Sequence, residues 1–323
     1  MPGQLELGIH VMTYGATWPE VAAFAVEADR LGYDFLLMHD HLLATQGDLH
    51  QPFFESYTTL GAWAVLTSRV KLGHLTVGNP FRNPGVVAKA TATLDHISNG
   101  RMTLCLGAGS LPVEFPLHGL AVGQTLGDRL QALDESLSIV TRILAGDEVT
   151  FDSEHYHFDG IKHRPRPIQP HIPVIVGAVG ERVGLRIAAR YADYWQMSVK
   201  PGDVAGYSHK ADVLVSHCRD VGRDPAMIRR LPEIAVILRE TREQAMAAFD
   251  AFAGHFSWSD ETRRDMANSL FAGSVDEVAA MLQPFLDTGI AGLIYQALPP
   301  YDFETIRRIA GELRPALLAP VSA

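Results

Sequence analysis

Short runs rich in Val, Ile and Leu alternate along this chain with longer stretches in which apolar residues recur every three and four positions. The short runs have the length of buried strands, and the long ones have the spacing of amphipathic helices. LELGIHV (5–11) precedes WPEVAAFAVEADRLG (18–32), where Trp18-Pro19-Glu20 suits a helix start and Gly32 a stop. FLLMHD (35–40) precedes FESYTTLGAWAVLT (54–67), and KLGHLTVG (71–78) precedes PGVVAKATATLDHIS (84–98). Asn99-Gly100 then supplies a left-handed turn. RMTLCLGAG (101–109) leads to a helix over 126–146, and PVIVGAV (173–179) leads to one over 180–192. YWQMSV (194–199) precedes a helix around 203–221. EIAVILR (233–239) precedes helix from 241 to 256 and onward to 289, and AGLIYQAL (291–298) precedes a helix over 303–317.

Eight strand–helix units in series predict a (β/α)8 TIM barrel rather than an open sheet. Several of the strand runs are apolar almost throughout, as parallel strands buried on both faces must be. Two stretches break the rhythm and read as insertions, one after the fourth strand and one in the C-terminal third. The first, 149–173, is polar and Pro-rich and begins with a possible hairpin, VTFDSEHYHFDG. The second lies near 256–273. No linker splits the chain, so residues 1–323 are expected to form one domain.

Composition narrows the classes. With Lys plus Arg at 27 and Asp plus Glu at 37, the net charge is −10, and no basic stripe is visible. Nucleic acid and anionic membranes are therefore poor partners; a small-molecule substrate fits better. The two cysteines, Cys105 and Cys218, are far apart and form no ligand or disulfide pattern. No apolar run approaches the roughly 18 residues of a membrane span. Neither end carries a leader or lipidation pattern, and a reducing cytoplasm is expected.

In such a barrel the chemistry sits at the C-terminal ends of the strands. The second strand ends in His39-Asp40-His41, the first near His10, and the sixth at Met197-Ser198-Val199-Lys200. Two histidines two apart share a strand face, which could begin a metal site. The fifth and sixth strands end without a further ligand, so no metal is assigned, and His39 is expected to be strand packing. Asp40 beside His41 suits proton transfer near neutral pH or simple loop hydrogen bonding. Gly107-Ala108-Gly109 and Gly177-Ala178-Val179-Gly180 each follow a strand. The second run opens a helix and could receive a phosphate, with Lys200 nearby, or could be a tight turn. No dinucleotide fingerprint, P-loop or nucleophile elbow is present. The helix at 54–67, with Leu60, Trp63, Ala64 and Leu66, fits a homodimer face as well as core.

Three stretches occur in order: VEADRLGYDFLLMHDHLL, ending at Leu43; RNPGVVAKATATLDHISNGRMTLCLGAG (82–109); and RPRPIQPHIPVIVGAVGERVGLRIAARYADYW (164–195). Together they resemble the signatures of the luciferase-like monooxygenase superfamily, and Asp-His after the second strand resembles its branch using the deazaflavin coenzyme F420. The resemblance implies a barrel oxidoreductase. It places Asp40 at the deazaflavin headgroup and His41 beside the reactive carbon as proton donor or acceptor. It makes Leu75, Thr76 and Val77 a backbone bulge behind the ring, often with a cis peptide that does not precede proline. Gly107, Ala108 and Gly109 would run along the cofactor. Gly177, Ala178, Val179, Gly180 and Glu181 would hold its phosphate, with Lys200. There are departures. Sugar-phosphate members carry Glu directly after the fourth-strand glycines, where Ser110 stands here with Glu114 further on, so a sugar phosphate is not the expected substrate. Leu42-Leu43-Ala44 replace an aromatic that some members place after the second-strand His. Three functions follow in order of preference: hydride transfer between F420 and a small organic substrate; an FMN-dependent monooxygenase; and, last, a metal-dependent hydrolase or a binding barrel.

Overall fold

The computed structural model describes residues 5–120 and 125–319. The terminal segments read above for leader and lipidation patterns lie partly outside these residues. The strands and helices follow the sequence closely. β1 (Glu6–Val11) and α1 (Trp18–Leu31) come first, then β2 (Phe35–Met38) and α2 (Ser56–Leu66). β3 (Lys71–His74) and β4 (Val77–Gly78) flank a break, followed by α3 (Pro84–Ile97), β5 (Leu104–Gly107), the single turn α4 (Glu114–Leu117) and α5 (Leu126–Ala145). The hairpin β6 (Val149–Asp152) and β7 (His157–Ile161) precedes β8 (Val174–Gly177), α6 (Gly184–Tyr191), β9 (Tyr194–Gln196) and α7 (Val204–Asp220). The last third holds β10 (Arg229–Arg230), β11 (Glu233–Leu238), α8 (Arg242–His255), α9 (Asp260–Asn268), β12 (Leu270–Gly273), α10 (Val275–Asp287), β13 (Gly292–Ala297) and α11 (Phe303–Arg308).

Two parallel sets of strands close on each other. One runs β12-β11-β13-β1-β2-β3 and the other β10-β9-β8-β5-β4. Leu72 bridges to Met102 at one seam, and Ser198 to Glu233 at the other. The second seam is held by Glu233 N–H to Met197 O and Val199 N–H to Glu233 O, both at 2.9 Å. The result is the eight-stranded barrel that the hydrophobic rhythm predicts. Alternation decides which side chains fill it: Phe35, Leu37, Cys105, Ile175, Tyr194, Leu231 and Ile294 form an inner cluster. Their neighbours in sequence, such as Leu36, Leu104, Val174 and Leu293, pack outward against the helices.

Local signals set the element ends. Thr17 and Glu20 form a capping box for α1, and Gly32 ends it at φ 80°. Asn99 turns at φ 57°, as Asn-Gly predicts. The first insertion is the expected antiparallel hairpin plus a Pro-rich strap. The second insertion also holds regular elements that the pattern did not predict. It holds α9, and then β12, which pairs in parallel with the upper half of β11. LFAG is too short to separate strand from loop by pattern alone, and only the open edge of β11 decides it.

The strap is fastened by one buried carboxylate. Asp95 on α3 accepts hydrogen bonds from Ile168 N (2.7 Å), Gln169 N (3.0 Å) and Gln169 Nε2 (2.7 Å). Asp95→Ala would strand these three donors. A loss of roughly 3 kcal/mol in unfolding free energy is expected, read from the denaturant midpoint. A midpoint unchanged in Asp95→Ala would refute this role.

Candidate active site

β2 stops at Met38, and its inward alternation runs on past the strand. Phe35 and Leu37 point into the barrel, and His39 and His41 continue that side at its mouth. His39 was expected to be strand packing. The structure corrects this, because both histidines line a cavity of about 350 Å³ at the strand ends. Its wall also includes His10, Thr76, Phe81, Ser110, Ser198 and Glu233.

Asp40, between His39 and His41 in the chain, also borders the cavity and is buried. Its Oδ1 accepts from Ser56 Oγ at 2.5 Å, and its Oδ2 from Gly78 N at 3.0 Å and Arg82 Nη1 at 2.7 Å. Arg82 in turn reaches Glu55 and lies 4.6 Å from the Tyr57 ring centre. Asp40 therefore ties the end of β2 to the turn after the bulge. That bulge carries a cis peptide between Leu75 and Thr76, as the resemblance implied.

His41 meets a partner that sequence reasoning placed too far along the loop. α4 carries Glu114 back over the barrel mouth, and its Oε2 accepts from His41 Nδ1 at 2.6 Å. Glu114 is completely buried, and its Oε1 accepts from Leu42 N (2.7 Å) and Leu43 N (3.0 Å). With its Nδ1 proton turned to the carboxylate, the ring leaves Nε2 for the cavity side, 3.5 Å from Ser110 Oγ.

A second pair stands across the cavity. His10 Nδ1 donates to Glu233 Oε1 at 2.6 Å, while Glu233 Oε2 accepts from Gln196 Nε2 (2.8 Å) and Ser198 Oγ (2.7 Å). Burial alone would raise the Glu233 pKa, but the His10 charge and these hydrogen bonds outweigh it and hold it below the ordinary value. Between the two pairs lies His39, stacked 5.1 Å from the His10 ring and tilted against the His41 ring at 4.3 Å. Both of its nitrogens are buried without a hydrogen-bond partner among the described residues. Burial, reinforced by charge on its two neighbours, pushes its pKa well down, so it stays neutral. No group of three or more candidate ligands among the described residues is arranged to hold a metal.

The glycine runs divide. Gly109, Gly177, Ala178 and Val179 line the cavity, as do Leu75 and Thr76. Gly107 lies behind Thr76: a Cβ there would stand 2.2 Å from Thr76 Oγ1, so the position needs glycine. Val77 is turned into the core and Ala108 packs against it. Gly180, Glu181 and Lys200 are not among the lining residues. The Glu181 carboxylate is engaged instead by Lys210 Nζ (2.5 Å) and His209 Nε2 (3.1 Å). Glu114, Glu233 and Arg82 were missed as site residues. An acidic residue in a loop or at a strand start carries no local mark of the histidine or aspartate it will meet.

A closed barrel whose strand ends join a backbone-walled cavity to an imidazole–carboxylate pair is the site of a (β/α)8 enzyme. The chain belongs to the luciferase-like monooxygenase family, whose model matches residues 4–290. Over 317 residues it is 30% identical to an F420-dependent glucose-6-phosphate dehydrogenase of Nakamurella multipartita, covering 91% of this chain and 90% of that one. Its fold superposes on an F420-dependent secondary alcohol dehydrogenase solved with an F420–acetone adduct, with a TM-score of 0.82 at 19% identity and coverage of 97% and 99%. A long-chain alkane monooxygenase superposes with a TM-score of 0.81 at 15% identity, covering 98% of this chain and 92% of that one.

His74, packed on Tyr57 near Asp40, reports on this region. Burial is the largest influence on its ring, opposed by Asp40, and its pKa falls from 6.5 to about 4. The unfolded chain thus takes up a proton first as the pH drops. Stability is full above 6.5 and is lost as the pH falls from 6.5 toward 4, with His39 acting in the same direction. Thermal midpoints should decline across that window in the native chain and less steeply in His74→Phe. Equal slopes would show that His74 is not buried neutral.

Proposed function

We propose that this protein is an oxidoreductase that transfers a hydride between coenzyme F420 and a small organic substrate. The observation that carries the reading is the buried His41–Glu114 pair, opening on a cavity walled by backbone. The F420-dependent relatives support it. A flat ring needs a wall without side chains, and Gly78, Gly109, Gly177 and the Leu75–Thr76 peptide provide one. When bound, the deazaflavin supplies a two-electron hydride carrier.

The chain's own residues position, shield and move a proton. Asp40 locks the bulge through Gly78 N–H and Arg82, and its contact with the headgroup is secondary to that work. Glu114 orients His41 through Nδ1, so that Nε2 faces the cavity and can hold or release a proton there. His39 stays neutral between the pairs and keeps their charges apart. Gly177 to Glu181 would meet the cofactor phosphate through backbone N–H groups, with Lys200 as a more distant charge. Val77, Gly107 and Ala108 shape the wall from behind. An FMN-dependent monooxygenase is the alternative, supported by the oxygenases among the similar folds.

The same reading places the protein in the cytoplasm, consistent with two unpaired cysteines and with no described helix long and apolar enough to cross a membrane. Homodimerisation through α2 is part of it, supported by the exposed Val65 and Leu66, while Leu60, Trp63 and Ala64 are core.

Equilibrium titration with F420 and FMN is the deciding experiment: retention of F420 and not FMN is expected, and the reverse would sink the F420 reading. His41→Ala should lower kcat by about 10²–10⁴-fold with cofactor affinity preserved. Glu114→Gln keeps the shape and removes the charge, and should cost roughly 10²-fold in kcat. Wild-type turnover in both variants would remove the pair from the mechanism.

A further inference from the structure

Above the ends of β11 and β13 lies a second cavity of about 610 Å³, within the range that buries drug-sized ligands. It adjoins the first. Gln296, which lines it, is the register partner of His10, and Ala235 follows Glu233 by two on the inner side of β11. Its walls are mainly apolar and aromatic, among them Ile237, Phe249, Phe252, Trp258, Leu298 and Phe303. α8 supplies Phe249 and Phe252 to this wall, and the second insertion adds Trp258 and Met266.

The charges are accounted for. Arg239, the one Arg or Lys in the lining among the described residues, is paired with Asp302 (3.0 Å) and Glu304 (3.4 Å). Lys200 lines neither cavity. A phosphate placed here would be desolvated with no unpaired Arg or Lys among the described lining residues and only the His255 imidazole beside it, at a cost of several kcal/mol. Gln296, by contrast, brings a neutral amide with both donor and acceptor to the side nearest His10.

We propose that this cavity is the substrate compartment and that it takes an uncharged, largely apolar cyclic or branched alcohol or ketone. The hydrocarbon body lies among the aromatic side chains, and its oxygen meets Gln296 at the border with the cofactor cavity. The assignment rests on the hydride-transfer reading and names its substrate class, which differs from the sugar phosphate in the name of the Nakamurella relative.

Calorimetric titration of the cofactor-free chain with borneol, bornane and glucose 6-phosphate tests this. Borneol should bind, and glucose 6-phosphate should not. Ala248→Trp fills the compartment without touching the cofactor cavity and should weaken borneol at least about tenfold while F420 affinity holds. Gln296→Leu should weaken borneol and leave bornane unchanged, which keeps the test open should Ala248→Trp fail to fold. Preferential binding of glucose 6-phosphate, or borneol affinity unaltered in both variants, would overturn the assignment. A chain that binds borneol but not F420 would remove the hydride reading and leave the compartment in place.

Discussion

The site depends on one buried carboxylate. Glu114 has no access to water, so its lone pairs must be filled from within the protein. The three donors are His41 Nδ1 and the N–H groups of Leu42 and Leu43. These contacts hold the loop after β2 against α4, set the tautomer of His41 and aim its other nitrogen. Without Glu114, two backbone N–H groups and an imidazole would lose their acceptor at the mouth of the barrel.

The same device recurs across the cavity with different parts. Glu233 gathers His10 from β1 and Gln196 and Ser198 from the end of β9, and so also stitches the seam where the barrel closes. His39 separates the two pairs. Its ring passes no hydrogen bond along among the described residues, so the pairs act as distinct groups rather than as one relay. Asp40 completes the arrangement by fixing the cofactor-side wall from behind. Three buried carboxylates thus do three separate jobs, each made tolerable by donors from distant elements.

Much of this was legible along the chain. The eight strand runs stood out because both their faces are buried, and Asn99, Gly100 and Gly32 marked their turns by backbone chemistry that is purely local. His41, Thr76, Gly109 and Gly177 followed from their position at strand ends and from the family resemblance. His39 was misread because inward alternation continues beyond the last paired residue, which the sequence does not mark. β12 was missed because four apolar residues become a strand only where β11 offers an edge. Gly180, Glu181 and Lys200 came with the phosphate site that the resemblance implied, and they are not among the residues lining the cavity beside His41.

By itself the sequence determined the periodic elements, their caps and the barrel they make, since those depend on interactions within a few residues or on alternation of burial. Only the tertiary structure decided the chemistry of the mouth. His41 and Glu114 lie 73 positions apart, and His10 and Glu233 lie 223 apart. No local propensity links such partners. They meet because barrel closure brings strand ends together, and a buried charge then accepts only the geometry in which its hydrogen bonds are complete.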